Sequence, residues 1–322
     1  MSSASAKIIL FGEHAVVYNQ PAIAIPVSSL RAYAEVEAEN TPFQIIARDL
    51  DDEIITFEGD NPLAQIVRST LYVLNQDIPD IRLSVRSNIP IASGLGSGAA
   101  ISTAIVRELA DYFAITLSAE TINDLVYEVE KIHHGTPSGI DNTVIVYEQA
   151  MYFWRKNLIE PIHSGADFRI LIADTGKKSL TKHAVADVHK LYESTPKTTY
   201  STIDFIGHIT EKAKSAINDG DERVLGFLMR ENHMLLQQLT VSSPELDNLV
   251  ETAIKNGALG AKLSGGGRGG NMIALVNDET AEKVAEALKS AGYGVGIATN
   301  KPEGPLPPLE RRLGIGRSKD PI

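Results

Sequence analysis

The chain has 322 residues, 43% hydrophobic and 22% charged, a formal net charge of −11 and no cysteine. That length suits two compact units, and the composition is that of a soluble globular enzyme. The missing cysteine excludes a disulfide framework, a thiolate metal site and a cysteine nucleophile, while the acidic balance argues against nucleic-acid and anionic-membrane partners but not against small anions.

The opening MSSASAK lacks the apolar segment of a signal peptide. No run approaches the ~18 apolar residues of a membrane span, so a cytoplasmic location is expected. KIILF (7–11) and AIAIPV (22–27) are short apolar runs. Over 31–38 the chain alternates, with Ala32, Ala34, Val36 and Ala38 on one face. IRLSVRS (81–87) alternates more clearly and predicts a half-exposed, antiparallel strand. A glycine turn follows, then helical periodicity over 97–114, carried by Ile101, Ala104, Ile105, Leu109 and Tyr112. A second helix is expected from about Ser118 toward Gly135, with Ile122, Leu125, Val126 and Val129 as its stripe. The second half opens with a strand at FRILIAD (168–174), followed by helices over 202–218, 221–239 and 244–256. LGAKL (259–263) and NMIALVN (271–277) read as strands flanking a glycine run, 279–291 as a helix and YGVGIAT as a last strand. The segment 302–322, rich in Pro, Gly and charge, reads as a loosely ordered tail. A boundary between two units is expected near 155–167.

Four stretches carry chemistry. In 94-GLGSGAA-100, Gly94-x-Gly96-x-x-Ala99 is an allowed spelling of the dinucleotide fingerprint. That fingerprint should follow its strand at once, whereas Ser87-Asn88-Ile89-Pro90 intervenes here. No GxxxxGK[ST] occurs in the chain. What remains is a phosphate cradle at a helix N-terminus or a plain tight turn. In 130-EKIHHGTPSGID-141, Glu130 lies beside an apolar stripe, where an acidic side chain is usually solvated, and Asp141 follows a Pro-Ser-Gly turn. Adjacent His133 and His134 diverge by about 100° on a helix and make a poor zinc pair. In 262-KLSGGGRGGN-271, five glycines in six positions suit close backbone approach to a ligand or a mobile hairpin. In 7-KIILFGEHAVVYNQPAIA-24, a buried strand ends in Gly-Glu-His, although a Lys opening a strand is more often a solvated edge residue.

Together, and in this order, the four stretches resemble the GHMP kinases, the superfamily of galacto-, homoserine, mevalonate and phosphomevalonate kinases, over most of residues 7–300. Within it they are most similar to the mevalonate kinase family. KIILFGEHAVVYNQPAIA looks like that family's opening, and HGTPSGIDN (134–142) is similar to its HGNPSGxDN. DTGKKSLT (174–181) resembles its Asp-Thr-x-x-x-x-Ser-Thr stretch, with Leu180 before Thr181, and GALGAKLSGGGRGGNMIAL (257–275) resembles its C-terminal loop.

The resemblance implies an α+β two-domain GHMP kinase fold with its active site in the cleft between domains. An N-terminal α/β domain with a left-handed βαβ unit would take 1–160, a ferredoxin-like α+β domain 161–301, and the tail 302–322. It implies ATP and Mg²⁺ as cofactors, mevalonate as substrate, and a homodimer, a frequent assembly in the family. Pro90, Gly94, Leu95, Gly96, Ser97, Gly98, Ala99 and Ala100 would wrap the triphosphate. Glu130, with Ser97, would hold the metal. Asp141 would take or orient the proton of the substrate hydroxyl, with Lys7 beside it as counter-ion and stabiliser of the transferring phosphoryl group. Lys7, Glu13, His14, Asp141 and Thr181 would contact mevalonate, and Ser264, Gly265, Gly266 and Gly267 would form the C-terminal glycine loop. The adenine pocket is expected among residues 30–75.

Two departures from the family pattern stand out. Gly98 occupies the place of a serine whose hydroxyl commonly ligates Mg²⁺. Arg268 and Asn271 replace small residues in the C-terminal loop, and Arg268 reads either as an added cation near phosphate or as a solvent-facing side chain. The alternatives are a sibling kinase for phosphomevalonate or another alcohol, and a non-catalytic metabolite-binding protein. Retention of Lys7, Glu130 and Asp141 speaks against the second.

Overall fold

The computed structural model describes residues 1–49, 51–90, 94–134, 137–154, 158–177 and 181–299. The expected tail at 302–322, residues 91–93 of the first glycine turn, Gly135 and Thr136, residues 178–180, and the side chains of His133 and His134 lie outside this description.

The apolar run at 7–11 belongs to a longer strand, β1 (Ser2–Phe11), because small residues at Ala4 and Ala6 let it pass through the interior. β1 pairs antiparallel with β2 (Ala22–Glu39), which joins the two separate runs of the sequence into one strand. Their register slips between Ser5 and Ala6, just ahead of Lys7, and such irregularities re-aim side chains. β3 (Gln44–Ala47) and β4 (Glu53–Thr56) form a hairpin. The helix α1 (Pro62–Leu74) starts on an Asn61 cap with Pro62 in its first turn, and it leads to β5 (Ile81–Ser87). β5 is antiparallel to β2, as its alternation suggested, but parallel to β3 on its other edge. The β3–α1–β5 crossover supplies the parallel pairing that alternation alone did not reveal. After the glycine turn come α2 (Ser97–Tyr112), α3 (Ala119–His134) and α4 (Ile140–Tyr147). The hairpin β6 (Met151–Trp154) and β7 (Leu158–Pro161) then extends the sheet through the start of β2.

The second sheet has the order β11-β8-β10-β9, with every neighbour antiparallel. Its strands are β8 (Arg169–Asp174), β9 (Gly260–Ser264), β10 (Asn271–Val276) and β11 (Gly294–Thr299). This is the ferredoxin-like strand order, bearing out that part of the expected fold. Four helices lie between β8 and β9: α5 (Thr181–Ser194), α6 (Pro196–Asp219), α7 (Glu222–Gln238) and α8 (Pro244–Lys255). A fifth, α9 (Ala281–Ser290), joins β10 to β11.

Strand alternation divides the interior. Leu171, Ala173, Met272 and Ala274 face α8 and α9 in one cluster, while Ile170, Ile172, Ile273 and Leu275 join the core that contains Ile8, Phe11, Ile105 and Leu109. Both sheets thus contribute to one apolar body. Among the described residues, no helix is long and apolar enough to cross a membrane.

Candidate active site

Lys7 lies in the middle of β1 and is only 3% exposed, so it is no solvated edge residue. Its backbone N–H donates to the carbonyl of Leu95 (3.0 Å), which seats the first glycine turn on the strand. Gly96 has φ +76°, and a Cβ there would come within 2.7 Å of Ile145 Cδ1 and 3.3 Å of Lys7 Cγ and Cε. A glycine is therefore required where the turn closes over the lysine stem. With its stem walled in, Lys7 places Nζ 2.8 Å from Oδ1 of Asp141, in the first turn of α4. The ammonium is buried and the carboxylate is about one-third exposed, so this ion pair opens to one side.

α2 starts at Ser97 with Gly96 as its left-handed cap. Its first-turn N–H groups, like those of any helix, have no intrahelical partner and favour an anion. Ala99 and Ala100 anchor the turn in the core, Gly98 is exposed, and Gly94 has φ +80° with open space around it. Pro90 is exposed beyond β5. Glu130 is half-buried on α3 and not simply solvated, as its position beside the stripe had suggested. A Cβ added to Gly98 would lie 3.3 Å from Glu130 Oε1. The carboxylate therefore faces the first turn of α2 at the point where a serine side chain would start. A carboxylate beside a helix N-terminus is a donor set that fits a hard cation.

A second group of residues meets the first. Glu13 is 1% exposed. It pairs through Oε1 with Nζ of Lys262, a fully buried residue of β9, while Glu13 Oε2 has no hydrogen-bond partner. Burial pushes the Glu13 carboxyl up and the Lys262 ammonium down, and each is pulled back by the other. The charge of Lys7 also reaches Glu13. His14 has φ +60° and ψ −42°, at the centre of a tight turn closed by Ala15 N–H donating to the carbonyl of Glu13 (2.7 Å), a conformation that a non-glycine residue adopts at some cost. Its Nε2 donates to the carbonyl of Gly266 (3.0 Å), and its Nδ1 is buried without a partner. Burial lowers the imidazole to about 4, with the charges of Arg268 and Lys262 acting in the same direction. At neutral pH the ring is therefore uncharged, and Nδ1 is an acceptor. Glu13 Oε2 and His14 Nδ1 are thus two buried atoms without partners among the described residues, and each suits a hydroxyl donor better than a carboxylate.

The C-terminal glycine loop is not a mobile surface hairpin. Gly266, Gly267, Gly269 and Gly270 are buried, and a Cβ on Gly266 would meet Thr181 Oγ1 at 2.6 Å. Thr181, the exposed first residue of α5, therefore rests on the loop. Ser264 Oγ donates to the carbonyl of Ile9 (2.8 Å), tying β9 to β1, and Gly265 has φ +86° in open space. Arg268 is exposed, as one of its two sequence readings had it, and its guanidinium pairs with Asp187 of α5. Lys262 escaped the sequence analysis. Its signal was a charged residue between apolar Ala261 and Leu263 in a strand whose other positions are all buried.

The two descriptions "GHMP kinases N terminal domain" and "GHMP kinases C terminal" match residues 64–149 and 213–294. The chain is 36% identical over 321 residues to a mevalonate kinase of Thermococcus sibiricus, covering 93% of this chain and 95% of the relative. The crystal structure of L. major mevalonate kinase in complex with R-mevalonate is similar with a TM-score of 0.84 and 29% identity, over 94% of this chain and 96% of that one. The Methanococcus jannaschii mevalonate kinase structure is similar with a TM-score of 0.80 and 26% identity, over 92% and 96% of the two chains. With fold, motif order and full-length similarity in agreement, the chain belongs to the GHMP kinase family and, within it, to the group of the mevalonate kinases.

Proposed function

We propose that the chain transfers the γ-phosphoryl group of ATP to the 5-hydroxyl of mevalonate, giving 5-phosphomevalonate and ADP for isoprenoid precursor synthesis. One observation carries the assignment: the walled-in Lys7 holds Asp141 at 2.8 Å beside the glycine turn of α2. Phosphoryl transfer asks a protein chiefly for positioning and charge neutralisation, and this group supplies both. Asp141, on the open side of the pair, orients the hydroxyl and receives its proton. Lys7 offsets negative charge on the transferring group. The N–H groups at Ser97–Ala99 and the turn from Gly94 hold the phosphates.

The GHMP kinases broadly use ATP and Mg²⁺. Here Glu130, with Ser97, would hold the metal, which when bound neutralises phosphate charge. Glu13, His14 and Thr181 bind the alcohol, supported by the two buried acceptors and by the seat of Thr181 on Gly266. The same assignment divides the chain into an N-terminal domain at 1–160 and a C-terminal domain at 161–301. The two separate sheets support that division.

The test is ADP release from Mg-ATP with purified protein and mevalonate, with phosphomevalonate, galactose and homoserine in parallel. Turnover with mevalonate alone is expected. Turnover with only another alcohol, or none despite nucleotide binding, would overturn the assignment.

A further inference from the structure

We propose that Arg268 is a positioning residue, which straps α5 and its leading Thr181 to the C-terminal glycine loop and thereby sets the affinity for the alcohol rather than for the nucleotide. Arg268 stands at φ +59° between Gly267 and Gly269. Its N–H donates to the carbonyl of Val241 (2.8 Å) and its Nε to that of Thr240 (3.3 Å). Its guanidinium then reaches the Asp187 carboxylate, which also accepts from Lys190 Nζ at 2.9 Å. Lys190 and Arg268 hold the Asp187 carboxyl down at about 2, so the anionic partner persists across the neutral range. Nε and Nη1 of the guanidinium are thus turned toward the segment before α8 and toward α5.

The start of α5 has little else to hold it, whereas its far end packs Leu191 and Tyr192 against the core and stacks Tyr192 on Tyr18. Of its residues only Ala184 and Val188 are buried. The loop, in contrast, is fastened on its far side: Gly270 N–H donates to Lys177 (2.8 Å), and Thr175 N–H donates to Gly270 (2.9 Å). The strap therefore joins the weakly packed start of a helix to a firmly held loop, at the contact where Thr181 meets Gly266 and Gly266 meets His14. Because the pair is about one-third exposed, its strength is that of a screened surface pair.

The inference rests on the mevalonate assignment, and its test separates the two. Arg268→Gln, Asp187→Asn and the reversal Arg268→Asp/Asp187→Arg are compared with the unaltered protein; Asp tolerates the left-handed backbone at 268. KM is measured for mevalonate and for ATP, and hydrogen exchange is followed over 181–190. Each single variant is expected to raise the mevalonate KM about two- to fivefold, leave the ATP KM in place and speed exchange at the start of α5. The reversal should recover both. A raised ATP KM and lowered kcat in Arg268→Gln, absent in Asp187→Asn, would assign the residue to phosphate and overturn the strap. Unchanged exchange in both singles would overturn it too. If the unaltered protein does not turn over mevalonate, the parent assignment fails, and the exchange result still decides the strap.

Discussion

Glu13, in the turn after β1, and Lys262, in β9, meet with both side chains fully shielded from solvent. Removing one partner of such a pair leaves an uncompensated buried charge, whereas removing both relieves the desolvation of each. Lys262→Met alone and Glu13→Gln alone should each lower unfolding free energy by about 3–5 kcal/mol. The double variant should be more stable than Lys262→Met. Denaturant unfolding of the four proteins gives the coupling, and strictly additive losses would contradict the pairing.

Asp141→Asn keeps the shape of the carboxylate but cannot take a proton. We expect kcat to fall by about 10²–10⁴, with the ATP KM little changed. Lys7→Met should also lower kcat, because it removes the cation beside the reacting group. An Asp141→Asn enzyme with near-normal kcat would remove Asp141 from the proton-transfer role.

His14 carries a stability term with a definite sign. Its folded value, about 4, lies below the ordinary 6.5. The unfolded chain therefore binds more protons between those values, and stability falls as pH drops through that window. It is fully present above pH 6.5. A shift of this size corresponds to roughly 3 kcal/mol. His14→Asn, which removes the titrating ring, should flatten the pH dependence of unfolding between pH 6.5 and 4. An unchanged slope would show that another group carries it.

Gly98→Ser restores the hydroxyl that the family usually has, next to Glu130. The added Cβ fits with a shift of a few tenths of an ångström, since among the described residues its one close neighbour is Glu130 Oε1 at 3.3 Å. The Mg²⁺ concentration for half-maximal nucleotide binding should fall in this variant. Binding titrations in Mg²⁺ read this without turnover, and no change would mean that the missing hydroxyl is not a metal determinant here.

Gly94 and Gly96 both have positive φ, but only Gly96 is crowded, by Ile145 and Lys7. Gly94→Ala should cost about 1 kcal/mol from backbone conformation alone. Gly96→Ala should cost more and should also disturb the Lys7–Asp141 pair, lowering kcat. Equal losses in stability and activity would contradict the packing described for the turn.

Much of this was legible in the sequence. Periodicity placed β5, α2, α3 and the strands of the second sheet within a residue or two, because each combines a clear apolar pattern with a glycine or proline stop. The family resemblance indicated Lys7 and Asp141 as neighbours, and the two meet although one comes from a strand and the other from a helix. α4 escaped: Ile140–Tyr147 is short, nearly all buried and rich in β-branched residues, so periodicity cannot separate it from a strand. α5 escaped although Ala184, Val188, Leu191 and Tyr192 recur at helical spacing, a sparse stripe among otherwise mostly polar residues. The partners of Lys262 and Arg268 lie far away in the chain, and no local pattern announces a pairing of that range.

The face that Ile170, Ile172, Ile273 and Leu275 give to the larger core has a consequence for how the protein comes into being. Neither sheet possesses a finished interior of its own. A chain severed between Pro161 and Arg169 would yield two fragments, each with a bare oily side, and neither should persist as a folded monomer. During synthesis the first half must wait, incompletely buried, until β10 has emerged. The site is thus assembled in a single event: closing the interior brings Lys262 to Glu13 and Gly266 to His14.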